Sequence, residues 1–526
     1  MTDDDGDDSE VTATLSLANV DPVANAGGSY NGNEGSPVPL NGSVTDAGTN
    51  DTHTWSWQYV GTNVDPGATC SISNPNTEDP TITCTDDGAV QLTLTVTDDD
   101  GGSDTDQATL TLANVDPVAT AGGPYSGNEG AAIQLTGTAT DAGSNDVLTK
   151  QWTYAPVSGV DAGASCSFSP NAAALSPTVI CTDDGTFKLT LTVTDDDGGS
   201  DAADATLTLT NVDPVATAGG PYSGNEGAAI SLTGMKSDAG SNDVLTQQWT
   251  WAPVSGVDAG ATCSFSPNAA ALSPTVTCTD DGSYQLTLTV SDDDGGTGTS
   301  NANLTVANVA PVMTALTAPD GSALPTTLIV AGTLNIRTTF SDQGSNDSHT
   351  AQLDCGTGYV SLGASAASPL TTSCTFATIG PKTIQVKVTD DDGEYDVETH
   401  NILVKYNFDG FYAPVDRPNT MNVSKAGQAI PLKWRLTDAN GAPVSDVVAV
   451  TIRAKDQGCA TGATTDLLEE YASGASGLQN HGDGRYQFNW KTPSTYAGSC
   501  KSIELVFGTG GLSYVDGPHA FFSFKR

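Results

Sequence analysis

Apolar and polar residues alternate with a period of two along much of the chain. In "FKLTLTVT" at 187–194, Leu189, Leu191 and Val193 alternate with Lys188 and threonines, the pattern of a strand with one buried face. "ATLTLTNV" at 205–212 repeats the pattern after an Asp-Gly turn, so the two segments predict a hairpin. "AIQLTGTAT" (132–140) and "QWTYAPV" (151–157) read as earlier strands. Trp57, Trp152 and Trp249 share one position in this pattern, and Tyr59, Tyr154 and Trp251 lie two residues later on the same face. The pair fits a core tryptophan with a half-buried partner better than a platform on which sugars stack. About seven short strands, with turns every 8–12 residues, predict an all-β immunoglobulin-like sandwich. No segment shows helical periodicity with caps.

The phrase "ANVDPV" at 18–23 returns at 113, as "TNVDPV" at 210 and as "ANVAPV" at 307. A period of that length belongs to whole domains in tandem rather than to stacked half-units. The predicted divisions are an orphan last strand of an upstream repeat at 1–17 and repeats at 18–112, 113–209 and 210–306. A diverged repeat follows at 307–404 and a further all-β domain at 405–526. Sandwiches joined with so little slack predict a linear, rod-like array. Met1-Thr2-Asp3-Asp4-Asp5-Gly6 aligns with Val96-Thr97-Asp98-Asp99-Asp100-Gly101. The chain is therefore expected to begin inside a repeat of a longer protein, with any export signal outside it. "EVTATLSLANV" (10–20), a strand pattern without its own sheet, could complete the edge of another copy.

Charge narrows the function. Lys and Arg number 18 against 63 Asp and Glu, a net charge of −45 over 526 residues. Such a field repels nucleic acid and anionic lipid and attracts cations. The acid is mostly Asp beside Gly or Asn, which is turn chemistry; a salt-adapted surface is the plain alternative to cation binding. No apolar run is long enough to span a bilayer as a helix. Ten cysteines fall as Cys70/Cys84, Cys166/Cys181, Cys263/Cys278, Cys355/Cys374 and Cys459/Cys500, one pair per predicted domain. Pairing within each domain is the economical connectivity, though spacing alone leaves it open. Metal ligation by these cysteines would want CxxC spacing or histidine partners. One bridge per domain points to an oxidising, extracellular or cell-surface setting.

"TDDDGGSD" at 97–104 places three carboxylates side by side, and the triplet recurs as Asp195, Asp196, Asp197, then as Asp292, Asp293, Asp294, then at 390–392. In an immunoglobulin-like sandwich the domain entry and the B–C and F–G loops share one end, and the A–B and E–F turns the other. The entry end of the second repeat then collects Asn114, Asp116, Asp141, Asn145, Asp146 and its triplet, facing Glu34, Asp86 and Asp87 of the first. The next junction faces Glu129, Asp183 and Asp184 with Asn211, Asp213, Asp238, Asp243 and the following triplet; Glu226 is the "NEG" glutamate of the third repeat. The entry of the first repeat holds Asp21, Asp46, Asp51, Asp98, Asp99 and Asp100. Turn closure and loop capping explain part of this. They do not explain why three loops and a linker are acidic together, in register. Carboxylates with Asn carbonyls are what Ca²⁺ selects, so a structural Ca²⁺ is expected at each junction, an arrangement that resembles the cadherins in principle without their motifs. The fourth repeat has Ala310 in the linker Asp position and no "NEG" glutamate near "VAGT" (330–333); its junction at 307–311 is expected to bind calcium more weakly and to flex.

The units at 18–306 carry "PVATAGGPYSGNEGAAIQLTGTATDAGSND", a Trp-centred strand and "LTLTVTDDDGG", and resemble PKD-type domains of bacterial surface and secreted proteins. The unit 307–404 keeps "SDQGSNDSHT" and "IQVKVTDDDGEYDVETHNILV" and looks like a diverged member. "WDFGDG", familiar in that family, is replaced by "QWTYAPV". Beyond residue 405, "YNFDGFYAPVDRPNTMNVSKAGQAIPLKWRL" and "GRYQFNWKTPSTYAGSCKSIELVF" resemble the PxKF domain of bacterial secreted proteins, with Pro431-Leu432-Lys433-Trp434 at the motif. That resemblance implies no catalytic activity.

No nucleophile, P-loop, HExxH or dinucleotide motif occurs, and the five histidines share no pattern. Acids that recur in every repeat suit a structural role, since catalysis needs one site. The expected function is a non-catalytic extracellular structural or adhesive stalk, or a filament protein, built of calcium-stiffened immunoglobulin-like domains. Its partners would be further copies, cell-surface or matrix components, or glycans, with no nucleic acid and no membrane insertion. The alternative is a spacer and substrate- or glycan-targeting region of a secreted hydrolase whose catalytic domain lies upstream.

Overall fold

The structure is a computed structural model that describes residues 4, 6, 10–416, 420–459, 464–467, 477–507, 515–516 and 520–526. The first six residues and the later parts of the C-terminal domain that the reading above touched lie partly outside these. The chain divides into two compact units, one of residues 1–217, 235–248 and 288–300, the other of 218–234, 249–287 and 301–526. The third repeat contributes to both. The fold is all-β, and among the described residues the one helical turn is a 3₁₀ segment at Ser494–Tyr496.

In the second repeat, strands Thr149–Ser158, Gly185–Thr194 and Ser200–Thr210 form an antiparallel sheet, and Tyr125–Asn128 joins its edge parallel to Ser200–Thr210. A second sheet pairs Cys166–Ser169 and Ile133–Gln134 with Thr178–Cys181. A short ribbon, Val118–Thr120 with Thr138–Thr140, covers the end. The first repeat has the same arrangement. Phe187, Leu189, Leu191 and Val193 alternate into the core between the sheets, with Trp152, Val179, Leu207 and Leu209. Trp152 is buried and donates to Leu175 O at 3.3 Å, while Tyr154, opposite Leu189, is half-buried against Phe168 and Phe187. The aromatic pair is a core feature.

Three segments differ from the sequence pattern. "AIQLTGTAT" splits into two strands around Gly137, where a side chain would meet Leu175 O at 2.6 Å and the Trp152 ring at 2.9 Å. The strand ending at Thr210 stops before Asn211 and Val212, because the Val212 N–H is taken by the Glu129 carboxylate at 2.7 Å. Residues 10–22 form no strand and are exposed up to Asp21; they have no sheet of their own to join.

In the second unit the diverged repeat pairs Thr333–Thr338 with Leu370–Thr375 and builds a sheet from His349–Asp354, Gly380–Asp390 and Tyr395–Tyr412. The last of these strands runs unbroken through residue 405. Its first part pairs with Gly380–Asp390 and its second with Ala429–Thr437 of the C-terminal domain. The change of composition there coincides with no linker. Leu432 and Trp434 point into the C-terminal core, where Trp434 stacks on Tyr486 with centroids 6.0 Å apart. All five cysteine pairs, Cys70–Cys84, Cys166–Cys181, Cys263–Cys278, Cys355–Cys374 and Cys459–Cys500, are bridged.

Candidate metal centre

Each repeat meets the next through a seam built by backbone capture of one glutamate. The turn after strand Tyr30–Asn33 sends Glu34 under the linker, where Oε1 accepts the Val115 N–H at 2.6 Å. Glu129 accepts from Val212 and Glu226 from Val309, at 2.7 and 2.6 Å. A second tie runs from the B–C loop, whose Asn145 N–H donates to Thr85 O at 2.9 Å; Asn242 and Asn346 repeat it to Thr182 and Thr279. These bonds bring the E–F turn of one repeat against the B–C and F–G loops of the next.

The three aspartates of each triplet have different tasks. The first closes its own hairpin: Asp195 Oδ1 accepts from Asp197 and Gly199, and Oδ2 from Asn114 Nδ2 at 3.1 Å. Asp98 and Asp292 do the same with Asn19 and Asn211. The second aspartate is exposed and caps the B–C loop. Asp99 accepts from Thr52, Asp196 from Val147 and Asp293 from Val244, at 2.7–2.9 Å. The third, Asp197 or Asp294, faces the previous repeat; carboxylate oxygens of Asp86, Asp87 and Asp197 lie within 4.8 Å of one another.

The enclosed heart of the first seam joins Glu34, Asp86 and Asp146, with Asp141 and Asp195 beside Asp146 at the same spacing. Glu34 and Asp86 are fully buried. Asp86 spends Oδ2 on the Asp65 N–H at 2.7 Å, which leaves Oδ1 inside the seam. A methyl group on Gly143 would collide with Glu34 Oε2 and the Asp146 carboxylate; Gly240 stands in the same relation to Glu129 and Asp243, and Gly344 to Glu226 and Asp347. Only glycine leaves those carboxylates room to converge.

Burying like charges together raises their proton affinity. Burial above all, then the charges of Asp141, Asp87 and Asp86, push Glu34 up to about 7 against the pull of its Val115 bond. Glu129 and Glu226 rise to about 7 for the same reasons. Asp146 and Asp243 reach about 7 and Asp347 about 8, burial leading and the seam glutamate's charge next. Asp197, Asp294 and Asp392 rise to about 6, again through burial and then the acids across the seam.

Buried polar atoms are almost always hydrogen-bonded. Among the described residues, every buried side-chain oxygen without such a partner lies in a seam, and the one other orphan is the Trp434 indole N–H. The first seam has six: Glu34 Oε2, Asp86 Oδ1, Asn114 Oδ1, Asp141 Oδ2 and both oxygens of Asp146. The second also has six, from Asp183, Asp184, Asn211, Asp238 and Asp243. The third has five, from Glu226, Asp281, Asn308 and Asp347.

Not every residue named from sequence joins these sets. Asp116 and Asp213 are exposed, and Ala310 stands at their position in the third linker. The glutamate of the seam at 307–311 is Glu226, present and buried; the segment near "VAGT" has no part in it. The missing glutamate given above as a reason for a weaker third junction is therefore not missing. Asp21 is exposed, and Asp46, Asp51 and Asp98 cluster at the entry of the first repeat. Reading the sequence does not single out Asp65, Asp280 or Asp281, and it notes Asp342 and Asp347 only as acids that "SDQGSND" retains. The recurrence of "TDDG" at 279–282 is the available signal for Asp280 and Asp281.

Sandwiches in tandem, each closing an acid-lined seam with the next, define a class of repeated β-domain protein. A family profile described as "PKD domain" matches residues 19–112, 114–210 and 211–306, more than half of the chain, and the chain belongs to that family. No curated protein matches it. Among solved structures it is similar to a tetra-tandem repeat in the extending region of a large adhesion protein, at 17% identity and a TM-score of 0.30, over 73% of this chain and 98% of that one. It is also similar to the Escherichia coli adhesin FdeC, at 16% identity and a TM-score of 0.20, over 57% of this chain and 100% of that one. A PKD domain of an M14-like peptidase from Thermoplasmatales archaeon SCGC AB-540-F20 matches at 20% identity and a TM-score of 0.15, over 19% and 98%. Similarity at this level carries no functional argument. Among the described residues no helix is long and apolar enough to cross a membrane.

Proposed function

We propose that the chain is a non-catalytic structural segment of an extracellular protein, a series of PKD sandwiches whose seams are held by calcium ions. One observation carries the reading: the buried oxygens without hydrogen-bond partners gather at the seams, six, six and five of them. An orphaned buried oxygen costs about 1–3 kcal/mol, and more when charged, so a structure that collects them in register needs a counter-charge. Ca²⁺ takes six to eight hard oxygen ligands in flexible geometry, and carboxylates with one Asn carbonyl per seam supply that donor set. Bound there, the ion would supply the missing charge and coordination; Glu34, Glu129 and Glu226 would tie it to the linker through their bonds to Val115, Val212 and Val309. A bridge in every domain suits an oxidising exterior, and acids repeated at each seam suit stiffening rather than turnover. The C-terminal domain, resembling the PxKF module, belongs to the same extracellular segment.

Thermal unfolding of the whole chain in calcium, in magnesium and in chelator tests the reading. Calcium at millimolar concentration should raise the melting temperature well above the chelated value, with magnesium well behind. Identical melting in all three would refute it.

A further inference from the structure

Repeats 1 and 4 carry a histidine where repeats 2 and 3 carry a leucine. His53 and His349 stand seven residues after Asp46 and Asp342, and Leu148 and Leu245 stand seven after Asp141 and Asp238. In the third seam His349 Nε2 lies 2.9 Å from Asp342 Oδ2, while Oδ1 accepts the Gly344 N–H at 3.2 Å. Both oxygens of Asp342 are thus engaged. In the first two seams the corresponding Oδ2 atoms, of Asp141 and Asp238, are buried and without a partner. The ring of His349 is fixed in place by Phe340, with centroids 5.0 Å apart, and only 12% of its side chain is exposed.

The rest of the third seam keeps the features of the others. Glu226 is fully buried with Oε2 unpartnered and aimed over Gly344, and both oxygens of Asp347 and Oδ1 of Asn308 are unpartnered too. One more oxygen is tied up, since Asn346 Nδ2 reaches Asp280 Oδ1 at 3.4 Å. His53 holds Asp46 Oδ2 at 2.9 Å in the same way, within the group of Asp46, Asp51 and Asp98.

We propose that His349 is a positioning residue that sets cation affinity: by holding Asp342 Oδ2 it withdraws one ligand from the third seam and divides the seams into two tight sites and one weak site for calcium. The inference rests on the seam reading above. To ligate the ion, Asp342 must share an oxygen that the imidazole already holds or give up that hydrogen bond, a competition of about tenfold in affinity. His53 acts likewise on Asp46.

Calorimetric titration of the whole chain with calcium tests this, using His349→Leu, which installs the residue of repeats 2 and 3, and His349→Gln, which keeps a side-chain donor. Wild type should show two affinity classes, and Glu226→Gln should delete the weaker. His349→Leu should tighten that weaker class about tenfold, while His349→Gln stays near wild type. One affinity class in wild type, or a weak class that His349→Leu leaves unmoved, overturns the inference with the seam reading intact. No calcium binding by any variant overturns both.

Discussion

Calcium binding should expel protons, and the number follows from the seams. In the ion-free chain Glu34 and Asp146 titrate near 7, as do Glu129 and Asp243, and in the third seam Glu226 titrates near 7 and Asp347 near 8. A group at its own pKa is half-protonated, so at pH 7 each of the first two seams holds about one proton and the third somewhat more. Asp197, Asp294 and Asp392, near 6, add about a tenth each. A cation that ligates these oxygens requires them ionised. Saturation at pH 7 should then release roughly three to four protons per chain, about one at pH 8 and close to none at pH 9. Calorimetry in buffers of different ionisation enthalpy measures this directly, because the apparent binding enthalpy varies with the buffer in proportion to the protons released. A slope near zero at pH 7, or one that does not fall towards pH 9, would refute the argument that these carboxylates are the ligands.

The same raised values set the pH dependence of folding without calcium. The folded chain keeps protons on Glu34, Glu129 and Glu226 that the unfolded chain releases near 4.5. Stability is then fully present below about 4.5 and declines as pH rises through about 7; melting in chelator from pH 5 to 8 should fall, and calcium should remove the decline. Glu34→Gln keeps an acceptor for Val115 and deletes a buried charge. Its melting temperature in chelator should match or exceed that of wild type, with the calcium-induced rise reduced. Replacing Cys166 and Cys181 together by Ala opens a loop of 15 residues and should cost about 3 kcal/mol in denaturant unfolding, with calcium stoichiometry unchanged.

Much of this was legible in the residue pattern, for a physical reason in each case. Leu189, Leu191 and Val193 alternate because a strand buries every second side chain, and Trp152 recurs as Trp57 and Trp249 at one buried core position of the first three repeats, where the fourth has Leu353. That Glu34 and Asp86 would meet Asp141 and Asp146 followed from which loops share an end. Spacing could not show how the oxygens are used. Asp195, Asp196 and Asp197 look alike in sequence, yet one closes a hairpin, one caps a loop and one faces the seam, because backbone N–H groups claim the first two. The part of His349 was invisible for the same reason, since it depends on a bond to Asp342 seven residues away. Nor did composition reveal that strand Tyr395–Tyr412 carries straight through residue 405.

Calcium stiffening requires an ion among the buried oxygens of each seam. An anomalous difference map from crystals of the calcium-saturated chain, collected at long wavelength, addresses it directly. A peak is expected between Glu34, Asp86 and Asp146, with oxygens at about 2.3–2.6 Å, and counterparts beside Asp243 and Asp347. Seams holding only water, at calcium concentrations that saturate other hard-oxygen sites, would contradict it.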